Sequence, residues 1–258
     1  MTPVRKVLVT GSGGLIGGAL FRDLGDRIEF TGLDVGPSDN LLVPITVGDL
    51  SDMESVRKAF DGVDAVVHLG ADSNQNASWE SVLLNNVIAT RNVFEACRDA
   101  GVKRVVYASS NHAVGMHELD DPYRRIRVGD YDGLDPDNIP QIDHTVQIRP
   151  DGQYGISKAF GEATGAYYAE NFGLEVACLR IGTVNRDNRP VEVRQLATWC
   201  SHRDVLQLIH RCLEVEPLQF DIFYGVSNNK WRFWDIDHAR EVLGYAPEDN
   251  GEDYRDSL

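Results

Sequence analysis

The sequence predicts an α/β fold, a doubly wound parallel sheet with helices on both faces, and three observations carry that prediction. Short apolar, β-prone runs alternate with amphipathic stretches from residue 6 to residue 181, the order a parallel sheet with helical crossovers requires. The first run, Lys6-Val-Leu-Val-Thr10, passes without a break into Gly11-Ser-Gly-Gly14-Leu-Ile-Gly17. The second, Phe30-Thr-Gly-Leu33, ends on an acid, Asp34.

Residues 6–10 read as a buried strand, because Val7, Leu8 and Val9 are bulky and β-prone and the run stops at glycine. In the turn that follows, Gly11 allows the tight change of direction, Gly14 lets a pyrophosphate approach the backbone, and Gly17 lets the helix pack closely on the sheet. The helix N-terminus, with Leu15 and Ile16 beside it, offers free N–H donors to phosphates. This is the layout of a Rossmann-type dinucleotide site. Asp34 would accept hydrogen bonds from both ribose hydroxyls and repel a 2′-phosphate. No arginine follows in Val35-Gly-Pro-Ser38, so NAD is expected rather than NADP. The structural alternative is an acid that merely caps a strand end.

Residues 42–47 read as a third strand, closed by Gly48-Asp49-Leu50 where the adenine would lie. A helix is expected over 51–60, capped by Ser51 or Asp52, then a buried strand over 64–69. A long helix over 79–100 stops at Gly101; a strand (103–108), a helix (152–172) and a strand (174–181) follow. After Gly182 the pattern becomes irregular, with a helix over 199–213, a strand over 220–225 and a helix over 235–243. The expected division is a dinucleotide-binding domain, 1–182, and a small substrate lobe, 183–258, packed on the same domain over the carboxyl ends of the strands. Residues 116–147 interrupt the first part. They are polar and Asp-rich, with Tyr123-Arg-Arg-Ile-Arg127 embedded, and a loop of such length is expected to be a lid, a contact surface or a mobile insertion.

A net charge of −15 argues against nucleic acid and anionic membrane as partners. Lysine is confined to Lys6, Lys58, Lys103, Lys158 and Lys230; the acidic, lysine-poor composition suits a salt-adapted organism or an arginine-favouring genome. Cys97, Cys178, Cys200 and Cys212 are far apart and sit mostly in apolar runs, as core residues of a reducing cytoplasm do. No signal peptide or membrane span is expected. The histidines are scattered, and the nearest pair, His112 and His117, lacks i,i+4 spacing, so no metal site is expected.

The strongest chemical signal is Tyr154-Gly-Ile-Ser-Lys158 on a predicted helix, downstream of Ser109-Ser110 at a strand end. Residues four apart share a helical face. A lysine ammonium beside the phenol favours the phenolate, lowering a pKa otherwise near ~10 toward the range of a general base. A serine hydroxyl opposite would hold the substrate oxygen. Tyr-x-x-x-Lys alone is weak, but joined to the glycine turn, Asp34 and Ser110 in that order it is strong.

On these residues, with His68-Leu-Gly-Ala71, Asn86-Val-Ile-Ala-Thr90 and Arg180-Ile-Gly182, the chain resembles the extended short-chain dehydrogenase/reductase family, of the NAD-dependent epimerase/dehydratase type. The resemblance implies that Ser110, Tyr154 and Lys158 are catalytic, that Asp49, Leu50, Leu69 and Gly70 line the adenine and ribose site, and that Ile181 faces the nicotinamide. Asn86 would be structural. Within the family the chain is most similar to uronate dehydrogenases, through Ser109-Ser-Asn-His112, Arg149-Pro-Asp-Gly152, Arg194-x-x-x-Thr198-Trp199-x-Ser201-His202 and Tyr224-Gly-x-Ser-Asn228. That likeness implies sugar contacts from Ser73, Ser110, Asn111, His112, Thr183 and Arg194, with Arg194 anchoring the far end of the sugar. The long insertion and the end at Leu258 instead resemble archaeal glucose-6-phosphate dehydrogenases, where Arg124, Arg125 and Arg127 could meet a phosphate; a solvated or subunit-facing patch is the favoured reading of that cluster.

The expected activity is oxidation of the anomeric hydroxyl of a hexuronate, glucuronate or galacturonate, to the aldarolactone. Alternatives are a glucose-6-phosphate or other hexose 1-dehydrogenase, a nucleotide-sugar epimerase, for which the residues after the last main strand look too few, and a non-catalytic dinucleotide sensor. The family commonly pairs through its long helices, which implies a homo-oligomer, a dimer or larger.

Overall fold

The computed structural model describes residues 6–37 and 43–258. Strand β1 (Lys6–Thr10) leads into helix α1 (Leu15–Leu24), then β2 (Glu29–Asp34) and β3 (Ile45–Val47). Helix α2 (Met53–Val56) runs on as a 3-10 turn to Phe60, and β4 (Ala65–His68) follows. Next come α3 (Trp79–Val82), a π-helical turn (Leu83–Ile88) and α4 (Ala89–Ala100), then β5 (Arg104–Ser110). Helix α5 (Tyr123–Arg127) lies in the insertion; α6 (Gln153–Phe172) and β6 (Glu175–Ile181) follow it. The chain ends with α7 (Gln195–Thr198), α8 (His202–Glu214), β7 (Phe220–Gly225), α9 (Asp237–Leu243) and a 3-10 turn (Gly251–Ser257).

All seven strands are parallel, in the order β3-β2-β1-β4-β5-β6-β7. The order reverses between β1 and β4, and ligands of open α/β sheets bind at such a point, beyond the carboxyl ends of the strands. Side chains alternate across the sheet. Val7, Val9, Ala65, Val67 and Val106 enter the core layer shared with α1 and α8, whereas Leu8, Val66, Val105 and Tyr107 enter the layer shared with α4. Residues 183–258 supply the edge strand β7, in register with β6, and α8, which packs with α1 on one face of the sheet.

Several boundaries differ from the sequence reading. The third strand begins at Ile45, and residue 42 lies outside the described residues. The helix capped by Asp52 is short. The expected helix over 199–213 is broken, because Trp199 and Cys200 pair with Thr183 (Cys200 N to Thr183 O, 2.9 Å). Ser201 then caps α8 by accepting from Asp204 N at 3.1 Å. The insertion is packed down. Ile126, Ile139 and Ile142 are buried, and Ile142 exchanges backbone hydrogen bonds with Phe233 and Asp235 at 2.7 and 3.0 Å. Among the described residues, no helix is long and apolar enough to cross a membrane.

Candidate active site

A cleft of about 860 Å³ opens at the switch point. Its lining includes every residue expected at the dinucleotide: Gly11, Gly14, Leu15, Ile16, Gly17, Asp34, Asp49, Leu50, Leu69, Gly70, Tyr154, Lys158 and Ile181. The glycine turn is shaped by close approach. Gly11 has φ +66°, and a Cβ there would meet Gly70 N at 2.7 Å; a Cβ on Gly17 would meet Ser12 O at 2.6 Å, so α1 could not seat as closely on β1 with any larger residue. No side chain caps the start of α1, which leaves first-turn N–H groups for a phosphate. Asp34 accepts from Gly13 N and Val35 N, each at 2.8 Å. One oxygen takes each bond, so each retains a lone pair for a ribose hydroxyl. These residues fit NAD.

The Asp34 carboxylate predicts a cofactor preference. At equal concentration NAD is expected to exceed NADP by at least ~10-fold in kcat/KM, since like charges a few ångströms apart near a surface repel by a few kcal/mol. Steady-state rates with each cofactor on one substrate check this; equal use of NADP would remove the role given to Asp34.

At the other side of the switch point, Ser110 ends β5 and Tyr154 and Lys158 rise from α6 into the same cleft. Lys158 is buried, and its ammonium donates to Ala108 O at 2.7 Å. It sits 5.4 Å from the centre of the Tyr154 ring. Burial lowers Lys158 to about 8. Burial also pushes the Tyr154 phenol up to about 12, against the pull of the Ser110 hydroxyl. The expected lowering of Tyr154 by Lys158 is not found: the ammonium donates to a carbonyl, and burial is the largest influence on the phenol.

The expected sugar contacts divide. Ser73 and Ser110 line the cleft, while Asn111, His112, Thr183 and Arg194 stand in a hydrogen-bonded wall behind Ser110. Ser110 Oγ donates to Asn111 Oδ1 at 3.3 Å, and Asn111 Nδ2 donates to Glu118 at 3.2 Å. His112 Nδ1 meets Asp151 at 2.7 Å and its Nε2 meets the Gln75 amide at 2.7 Å. The carboxylate can only accept, so Nδ1 carries a hydrogen toward Asp151, and the ring packs at a steep angle against the Tyr154 ring.

Arg194 departs from the sequence reading. Its Nε and Nη2 hold both oxygens of Glu118 at 2.7 and 2.6 Å, and Nη1 reaches Thr183 at 3.4 Å. The donor fork expected to face a sugar carboxylate is already engaged. In the arginine cluster of the insertion, Arg124 pairs with Asp121 and Arg125 with Asp130, while Arg127 lies 3.7 Å from Glu118. Glu118, Gln75 and Asp151 were not singled out in the sequence. Asn86 is a clamp, binding the backbone of Asp72 on both sides and the Ser157 hydroxyl.

A cluster absent from the sequence reading joins His144, Asp221 and His238. The two rings stack at 3.8 Å and 14°. Imidazole lone pairs lie in the ring plane, so in this stacking they run side by side and do not converge on one ion.

A dinucleotide cleft at the switch point, an acid at the ribose, and serine, tyrosine and lysine at its far end define an NAD-dependent oxidoreductase. The NAD dependent epimerase/dehydratase family pattern matches residues 7–203, and the chain belongs to that family. It is similar to an NAD-dependent glucose-6-phosphate dehydrogenase of Haloferax volcanii, at 39% identity over 97% of this chain and 95% of that one. It is also similar to a uronate dehydrogenase of Pseudomonas putida, at 34% identity over 98% and 88%. A mutant uronate dehydrogenase from Agrobacterium tumefaciens crystallised with NAD has a TM-score of 0.82 at 31% identity, over 98% of this chain and 88% of that one.

Proposed function

We propose that this chain oxidises the anomeric C1 hydroxyl of a cyclic hexose to the lactone. The observation that carries the reading is the convergence of Tyr154 and Ser110 on the cleft, across the switch point from Asp34. The Ser110 hydroxyl holds the sugar oxygen and the Tyr154 phenolate accepts its proton. The Lys158 ammonium, in the same cleft, has donors left for the cofactor's ribose hydroxyls beside its bond to Ala108 O. NAD, when bound, supplies the hydride acceptor.

A hexuronate, the substrate expected from the sequence, needs the fork of Arg194, which Glu118 holds. A hexose or hexose phosphate makes no such demand, and the Haloferax relative supports that class; the uronate dehydrogenase relatives support the other. Residues 183–258 act as the cover over the sugar. The exposed stripe Ile156, Phe160 and Tyr167 along α6 supports pairing of two copies through the long helices, and four free, buried cysteines suit the cytoplasm.

The test is NADH absorbance with glucose, glucose 6-phosphate, glucuronate and galacturonate. Turnover of at least one sugar, with its lactone as product, is expected. NAD binding with no turnover would favour the sensor, and interconversion of a nucleotide sugar the epimerase.

A further inference from the structure

Glu118 is a carboxylate with no part in the proposed proton and hydride transfer, yet it is 3% exposed and belongs to the hydrogen-bonded group behind Ser110. Both oxygens are taken by Arg194, one also receives Asn111 Nδ2 at 3.2 Å, and Arg127 stands 3.7 Å from the other. Through Asn111 the carboxylate is joined to Ser110, so it is tied to the reacting end of the pocket. A buried acid with this many donors is costly to displace. A second carboxylate arriving at Arg194 would find the planar donor edge filled and a like charge beside it.

We propose that Glu118 is a specificity-determining residue: it occupies Arg194 as a built-in carboxylate, so the pocket takes an aldose with no carboxylate at C6 and turns uronates away. Glu118 does for Arg194 what a uronate would otherwise do. The inference rests on the hexose reading above and adds the residue that enforces it. Arg127, half-exposed, is a second cation facing the same carboxylate.

The test uses the full chain with saturating NAD, comparing the parent, Glu118→Gln and Glu118→Ala on glucose, glucose 6-phosphate and glucuronate. In the parent, kcat/KM for a sugar without the carboxylate should exceed that for glucuronate by at least ~10-fold. In Glu118→Gln that ratio should shift at least ~10-fold toward glucuronate, chiefly through KM, the scale on which a charge-assisted pair in a desolvated site is felt. Glu118→Ala gives a readout independent of folding losses: acetate should enter the vacated space and compete with glucuronate while leaving the neutral sugar unaffected. A parent that prefers glucuronate, variants that lose all sugars in proportion, or acetate without effect on glucuronate oxidation each overturn the role of Glu118 and leave the dehydrogenase reading standing. Failure of every sugar with the parent overturns that reading, and this inference with it.

Discussion

Tyr154→Phe is expected to bind NAD as the parent does and to lose at least ~10²-fold in kcat, the scale of removing a positioned general base. The phenol is in the cleft with the Ser110 hydroxyl and the His112 ring beside it. The substitution deletes one oxygen from a ring held by packing, so folding should hardly change. NAD titration by calorimetry, single-turnover kinetics and a thermal melt separate the three effects. Turnover within a few-fold of the parent would mean that the proton leaves by another route, and the assignment of Tyr154 would fall.

Glu162→Ala is expected to lower stability by about 3–5 kcal/mol, because it strands a buried guanidinium. Arg180 and Glu162 are each 2% exposed in their side chains and share two bonds of 2.9 Å. Glu162 also accepts from Ser109 at 2.6 Å, and Arg180 donates to Tyr224 OH and His144 O at 3.2 and 3.3 Å. The pair thus ties β5, α6, β6, β7 and the insertion together directly beneath Ser110. Urea unfolding followed by fluorescence measures the loss. A double substitution, Glu162→Leu with Arg180→Met, should recover much of it, since no charge is then left unpaired. A loss below about 1 kcal/mol for Glu162→Ala would show that water or another group neutralises Arg180.

The parts of this chain legible in sequence are those whose physics is local. The glycine turn is read from a strand that stops and a helix that starts within seven residues, and Asp34 from its place at the end of the next run. Tyr154 and Lys158 share a face because they are one helical turn apart. The parts misread are those where distant segments compete for the same backbone or charge. Trp199 and Cys200 carry a helical pattern, yet they pair with Thr183, and a hydrophobic period cannot report a partner strand sixteen residues upstream. The insertion, polar and Asp-rich, reads as a lid, a contact surface or a mobile segment; in the structure Ile126, Ile139 and Ile142 dock it on the core.

The sequence alone therefore determined the sheet, the dinucleotide turn, the choice of NAD and the spacing that puts Tyr154 and Lys158 on one face of α6, because backbone propensity, side-chain period and glycine sterics act over a few residues. Only the tertiary structure decided which group Arg194 binds. Its partner Glu118 lies 76 positions away, and neither the type of either residue nor the spacing between them encodes a pair. A guanidinium is satisfied by whichever carboxylate the fold brings within about 3 Å. That choice is made where the start of α7 meets the 3-10 turn Asn111–Leu119 that follows β5.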